Sequence, residues 1–296
     1  NNYLFGLALF TALGATIAEI TSCRGTDNIS IPIVSILFMI GYFSHVSESG
    51  QFFELTVSSS SILLFIVILL LYVAYHYRSL SRNGFYGALI MGIIVTLIGS
   101  WRFLFPLAVF FILSSLLSKI VKEASFHQAK GSDRDIVQVY ANGGIALLIC
   151  IFDFIQPNAI NFFLFLASIS AAMSDTWATE IGRISKKKPI SIVNFKPMDH
   201  GLSGGITRIG IIGSLLGSSL FGFTIWCVIP MSPFIVYGII LCGFAGSIFD
   251  SFLGATIQEK YETQTGEIIE SAQDGAVFIS GISWVNNDMV NLMNTA

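Results

Sequence analysis

Apolar runs long enough to approach a membrane crossing recur along nearly the whole chain, separated by short polar segments. A membrane helix needs roughly 20 apolar residues, and shorter stretches are tolerated. By that measure the spans are 3–18, 31–43, 55–77, 84–101, 103–117, 137–155, 160–174, 209–229 and 234–249. The runs at 55–77 and 209–229 are the clearest. Those at 31–43 and 103–117 are short, drawing on flanking polar residues or on packing inside a bundle. The stretch 276–296 resembles the approach to a further span. The pattern predicts an all-α fold, a polytopic membrane helical bundle of about 9–10 spans.

Threading these spans in alternation sorts the charges. Arg24, Arg78, Arg82, the Lys and Arg residues of 119–134 and of 183–208, and Lys260 fall on one face; Arg102 alone falls on the other. The linkers on the Arg102 side are minimal, QPNA at 156–159 and PMSP at 230–233. By the positive-inside rule the charged face is cytoplasmic. It carries four sizeable segments, 18–30, 118–136, 175–208 and 251–275, while the other face holds little beyond 44–54. A transporter would expose groups to both sides, so the asymmetry points to a site facing the cytoplasm.

Composition agrees. The 296 residues are 54% hydrophobic and 11% charged, with a mean hydropathy of +0.76. A soluble domain would carry about 25% charge. The net charge of −3 gives no basic field for a polyanion, which excludes nucleic acid as a partner. Cys23, Cys150, Cys227 and Cys242 are scattered with no CxxC spacing, and three sit in apolar runs as small buried hydrophobes. The chain begins at Asn1 rather than Met and stops within a mixed stretch at Ala296, so both ends are expected to be trimmed.

Candidate chemistry lies on the charged face. The string SDTWATEIG (174–182) follows directly on an apolar span and carries Asp175 and Glu180 to the membrane boundary. On a helix, Asp175 with Thr179 and Thr176 with Glu180 are i,i+4 pairs, an oxygen-rich arrangement suited to a hard cation. A helix end whose acids merely face water is the plainer alternative. Asp250 ends the charge-free run 209–249, and an ionisable residue at membrane depth is a functional candidate. Asp175-Thr176 and Asp250-Ser251 echo each other, which hints at an internal pseudo-repeat.

Between them, GLSGGITR (201–208) leads into an apolar helix. Ser203, Gly204, Gly205 and Arg208 there suggest a phosphate cradle at a helix N-terminus; a plain turn before a glycine-rich packing helix (Gly210, Gly213, Gly217) is the alternative. Arg134, Gln138 and Asn142 recur four apart on one helical face, and Asn287, Asp288 and Asn291 form a polar cluster near the far end. Interhelical hydrogen bonding would also explain these. No Ser-His-Asp arrangement, HExxH or Walker A string occurs, and the D-G-x-x-A-R opening of CDP-alcohol transferases is absent. Acids, hydroxyls, a glycine loop and arginines remain, the parts for metal-assisted phosphoryl transfer.

The strings SSLLSK (114–119), RDIVQVYANGG (134–144), SDTWATEIG, GLSGGITRIG (201–210), FDSFLGATIQ (249–258) and WVNNDMVN (284–291) resemble, in this order, one integral membrane family. It is typified by plant and cyanobacterial phytyl-phosphate kinase and animal transmembrane protein 19. The resemblance covers residues 81–296 and implies a membrane domain lacking its last span. It also implies conversion of an isoprenyl monophosphate to the diphosphate by a nucleoside triphosphate. ALGATIAE (12–19) and GTDNISIP (25–32) resemble the end of phytol and dolichol kinase-like proteins, implying a remnant over 1–80.

The leading reading is a prenyl-lipid kinase at the cytoplasmic membrane edge, with CTP the leading donor. Asp175, Glu180, Asp250 and Asp288 would hold Mg²⁺, Ser203–Gly205 and Arg208 would cradle phosphate, and Arg134 would steady the acceptor. Gln138, Asn142, Asn287 and Asn291 would complete the polar site. Expected partners are the isoprenyl phosphate, the nucleotide and membrane lipids, and a homodimer is compatible with this. The rival is an ion-coupled transporter or lipid scramblase using the same carboxylates; a non-catalytic membrane adaptor would leave the clustered acids unexplained.

Overall fold

A computed structural model describes residues 2–21, 27–49, 52–124 and 133–296. Arg24, Lys130 and the start of the GTDNISIP string lie outside the described residues. The helices are α1 (Asn2–Thr21), α2 (Asp27–Ser49), α3 (Phe52–His76), α4 (Arg82–Ala124), α5 (Ile136–Ile155), α6 (Ala159–Gly182), α7 (Arg208–Val228), α8 (Pro233–Thr256) and the short α9 (Asn287–Asn294). Among the described residues, five helices, α4 to α8, are long and apolar enough to cross a membrane; α1, α2 and α3 carry shorter apolar stretches. The protein is a polytopic helical bundle.

Ser100, with φ of 57°, breaks the α4 helix geometry. Residues 82–99 span roughly 27 Å at 1.5 Å per residue. Yet Ser79, just before α4, and Ser115 and Ser118 near its far end line one cleft. The chain therefore reverses at Ser100, and α4 is two limbs that match the two runs at 84–101 and 103–117. Arg102 sits at the turn with its guanidinium 4.5 Å from the Phe162 ring centroid. That places it at the end of the bundle opposite the other described basic residues.

The core is aromatic and shared by most helices. Phe10 of α1 stacks on Phe154 of α5 at 5.3 Å, and Phe103 of α4 meets Phe165 of α6 edge-on at 4.8 Å. Phe165, Ile169, Phe221 and Ile239 are fully buried where α6, α7 and α8 meet. Outward-facing helix positions carry exposed Leu148, Phe152, Ile160, Leu215 and Phe234, as lipid contact requires. The α6–α7 contact is made by small residues. A Cβ on Gly213 would fall 2.8 Å from the Trp177 carbonyl oxygen, one on Gly217 2.8 Å from Trp177 Cβ. Ser174 Oγ and Ser214 Oγ hydrogen-bond at 2.8 Å beside them. The glycine-rich face of α7 is a packing face.

The polar connections add small sheets that the hydropathy pattern does not announce. Strands β1 (Ile190–Ser191) and β2 (Gly205–Ile206) pair antiparallel. Strands β3 (Lys260–Glu262), β4 (Ile268–Ile269) and β5 (Val277–Ser280) form an antiparallel sheet in the order β4-β3-β5. Over 276–296, expected as the approach to a further span, the chain forms β5, a turn and α9. Asn286, Asn287, Asp288 and Asn291 interrupt the apolar pattern, and α9 buries only one face, with Val290 and Asn294 inward.

Candidate functional site

The α6–α8 contact is close because its residues are small. A Cβ on Gly246 of α8 would fall 2.6 Å from Ala171 Cβ of α6 and 2.7 Å from Asn294 Oδ1 of α9, so three helices close together there. One turn further along each of α6 and α8, on the same faces, stand Asp175 and Asp250. Their carboxyl groups face each other across the contact. Asp250 Oδ2 and Asn294 Oδ1 are both buried with no hydrogen-bond partner, as is Trp177 Nε1. The pair lies inside the helices, about 10 Å from their ends at 1.5 Å per residue.

Two facing carboxylates in a site shielded from water need a cation or a proton between them. Mg²⁺ commonly takes one or two protein carboxylates and fills its remaining positions with water and substrate phosphates. Two facing carboxylates fit that ion, and the unmet Asn294 amide oxygen lies about one helical turn away. Asn294 is the member that sequence reasoning missed. Its signal is the i,i+4 spacing from Val290, which places it on the buried face of α9.

The four-carboxylate set does not gather. Among the described residues no three His, Cys, Asp or Glu side chains converge as a metal-holding group. Glu180 turns instead to Ser118 Oγ, which donates to it at 2.8 Å, and to Arg183 at 3.1 Å. Asp288 lies on the first turn of α9, where burial and the neighbouring Asp135 push its carboxyl above the ordinary range. Asp135 caps α5 by accepting from the Gln138 amide at 2.9 Å, and Asn142 Nδ2 donates to the Gln138 carbonyl at 2.9 Å. Asn287 and Asn291 stand on α9, which packs against α5, α6 and α8.

Arg134 is held by backbone and by rings. Its amide donates to the Ser79 carbonyl at 3.1 Å, and its carbonyl accepts from the Ser81 amide at 3.0 Å. Its guanidinium lies 5.6 Å from the Phe110 ring centroid and 5.9 Å from that of Phe111. Burial lowers it to about 10, with Glu180 opposing.

The glycine loop is occupied by the chain itself. The Ser203 amide and hydroxyl donate to the two carboxylate oxygens of Glu270 at 2.6 and 2.8 Å, and Gln258 Nε2 donates to the same group at 3.0 Å. Gly204 adopts φ of +85°, and a Cβ there would lie 2.5 Å from Ala255, so only glycine fits this turn against the end of α8. The Ser203 donors expected to meet phosphate are committed to Glu270, a residue that hydropathy and spacing did not single out. Arg208 stays exposed at the start of α7, after the Thr207 cap.

Residues 65–296 match the family described as integral membrane protein DUF92. The chain belongs to this family. Within it the chain is 33% identical over 195 residues to an uncharacterized membrane protein of Methanocaldococcus jannaschii, covering 62% of this chain and 76% of the relative. It is 28% identical over 273 residues to protein PGR of Arabidopsis thaliana, covering 78% and 92%. It is 25% identical over 226 residues to the chloroplastic protein VTE6 of the same plant, covering 73% and 62%. No solved structure gives a significant match. The DUF92 match takes in α4 to α9 and thus every residue of the Asp175–Asp250–Asn294 junction.

Proposed function

We propose that this chain is a membrane phosphotransferase that passes a phosphoryl group from a nucleoside triphosphate, CTP the leading donor, to an isoprenyl monophosphate of phytyl or geranylgeranyl type. The observation that carries the reading is the meeting of Asp175 and Asp250 inside the α6–α8 contact with Asp250 Oδ2 unpartnered. Membership of DUF92 and the ordered strings shared with the phytyl-phosphate kinase family support it.

Asp175 and Asp250, with the Asn294 amide oxygen, would hold Mg²⁺, which when bound neutralises charge on the donor phosphates. An oxygen of the acceptor monophosphate attacks the terminal phosphorus of the donor, the new P–O bond forming as the bond to the leaving nucleoside diphosphate breaks. The acceptor is already anionic, so no strong base is required of the protein. Its residues supply position and charge compensation. The exposed apolar flanks of the helices give the prenyl tail a lipid-like path to a site lying inside the spans. The charged end of the bundle is assigned to the cytoplasm, or to the stroma-equivalent side, by the positive-inside rule.

The depth of the pair favours a second reading, a carrier that couples substrate movement to protons or cations bound between the same carboxylates. One experiment separates the two. The full chain, purified and reconstituted, is incubated with geranylgeranyl monophosphate, Mg²⁺ and CTP. Diphosphate product lost in Asp175→Asn is expected. No product with any donor or prenyl length, together with cation-driven uptake into proteoliposomes, would establish the carrier instead.

A further inference from the structure

A second polar site lies beside the carboxylate pair, and its chemistry is opposite. The end of α3, the second limb of α4 and the start of α5 enclose a small half-open cleft. Arg78, Lys119 and Arg134 line it together with Ser79, Ser115 and Ser118. Three cations and three hydroxyls thus converge from segments far apart in sequence.

The cleft lining holds, among the described residues, three cations and no carboxylate. Among the described residues the salt bridges are Arg183 with Glu180 and Lys188 with Asp199, neither of which includes the three cations. The acid facing the cleft is Glu180, already shared with Ser118 and Arg183. Lys119 Nζ rests 4.8 Å from the Tyr77 ring centroid, and Arg134 lies among Phe110 and Phe111, which hold both cations without neutralising them.

Two further details point to a ligand. Ser115 Oγ is buried with no hydrogen-bond partner although it lines the cleft. Arg78 holds φ of 54° at the end of α3, a left-handed position that glycine takes freely and arginine does not. Basic residues that only mark membrane sidedness need solvent. They do not need a shared cleft, an unmet hydroxyl or a strained backbone.

We infer that this cleft binds a phosphate group, with Arg78, Lys119 and Arg134 as its cations and Ser115 as a hydroxyl donor. The inference deepens the phosphotransfer reading and rests on it for the choice of ligand. Glu180, which accepts from the cleft hydroxyl Ser118, follows Asp175 on α6 by about 7 to 8 Å of helix rise, so the cleft lies at the same end of the bundle as the carboxylate pair. The phosphate has two sources, the prenyl monophosphate or the nucleotide.

The test is binding to the full chain in phosphatidylcholine nanodiscs without Mg²⁺, probed separately with geranylgeranyl monophosphate and with CTP. Charged hydrogen bonds of this kind set the scale. Lys119→Gln and Arg78→Gln are each expected to weaken one of the two probes about tenfold, and Ser115→Ala about threefold with no change in melting temperature. Weakening confined to the prenyl probe assigns the cleft to the lipid phosphate, and weakening confined to CTP assigns it to the nucleotide. Unchanged affinity for both probes in Lys119→Gln and in Ser115→Ala, with melting intact, overturns the inference, as does a wild-type chain that binds neither. Because turnover is not read, failure of the transfer assay would sink the kinase reading and leave the cleft standing.

Discussion

Asp250 lies inside α8 and Glu270 holds the Ser203 turn that packs on the end of that helix, and the protein treats them differently. Glu270 has both oxygens engaged, by the Ser203 amide and hydroxyl and by Gln258. Asp250 faces another carboxylate, Asp175, and keeps Oδ2 without a partner. A buried carboxylate with all donors supplied holds a loop in place. A buried carboxylate opposed to its own kind and left short of donors costs stability, and such arrangements persist where a ligand repays the cost. The glycine loop that looks functional by composition is thereby a structural fastening. The site proposed for transfer is instead where two helices press acids together.

The largest effect expected follows directly. Asp175→Asn and Asp250→Asn should each lower phosphoryl transfer about 10³-fold, while the melting temperature stays level or rises because an amide needs no proton or cation between it and the facing acid. Full activity in both variants would break the comparison at its root. Glu270→Ala should act in the reverse sense. It strands the Ser203 and Gln258 donors and should cost about 2 kcal/mol of stability, read as a lower melting temperature with transfer retained in the fraction still folded. Transfer abolished with melting unchanged would return the loop to its role as a phosphate cradle.

Gly246→Ala should fall between these, because it touches the geometry of the pair and not its chemistry. The added methyl would meet Ala171 Cβ at 2.6 Å and Asn294 Oδ1 at 2.7 Å. Overpacking of this kind costs about 1–3 kcal/mol. Stability and transfer should decline together, and a variant that melts normally with full activity would show that α6 and α8 need not meet so closely.

What was legible in the sequence follows from how each feature is encoded. The spans are written in continuous apolar runs, so the bundle was readable, including the break near Ser100 between the two runs that form the limbs of α4. Asp175 and Asp250 were readable as isolated acids in apolar surroundings. Their meeting was only hinted at by the echo of their flanking residues, because helix pairing depends on which small faces fit. Asn294 was missed because its partners lie on α6 and α8, over forty residues away, and a lone Asn after a polar cluster carries no local pattern. Glu270 was missed for the same reason. Its acceptor role exists only once β4 brings it under the Ser203 turn. The four-carboxylate set does not gather because Glu180 turns to Ser118 and Arg183, and Asp288 stands on the first turn of α9 near another acid, Asp135.

The smallest effect expected is in the pH dependence of the fastening. Burial raises the Glu270 carboxyl above its ordinary value of 4.5, against the opposing influence of the Ser203 and Gln258 hydrogen bonds and of Lys260. Raised in the folded state, the group holds a proton there that the unfolded chain has already released. Its contribution to stability is therefore complete below 4.5 and is lost as pH rises through the interval up to the raised value. Thermal melts across that interval should show a shallow decline that Glu270→Gln removes, since the amide does not titrate. A slope that survives in Glu270→Gln would belong to another group, such as Asp288, whose carboxyl burial and Asp135 also push upward. The two are separable, because an Asp288→Asn variant would flatten the second and leave the first.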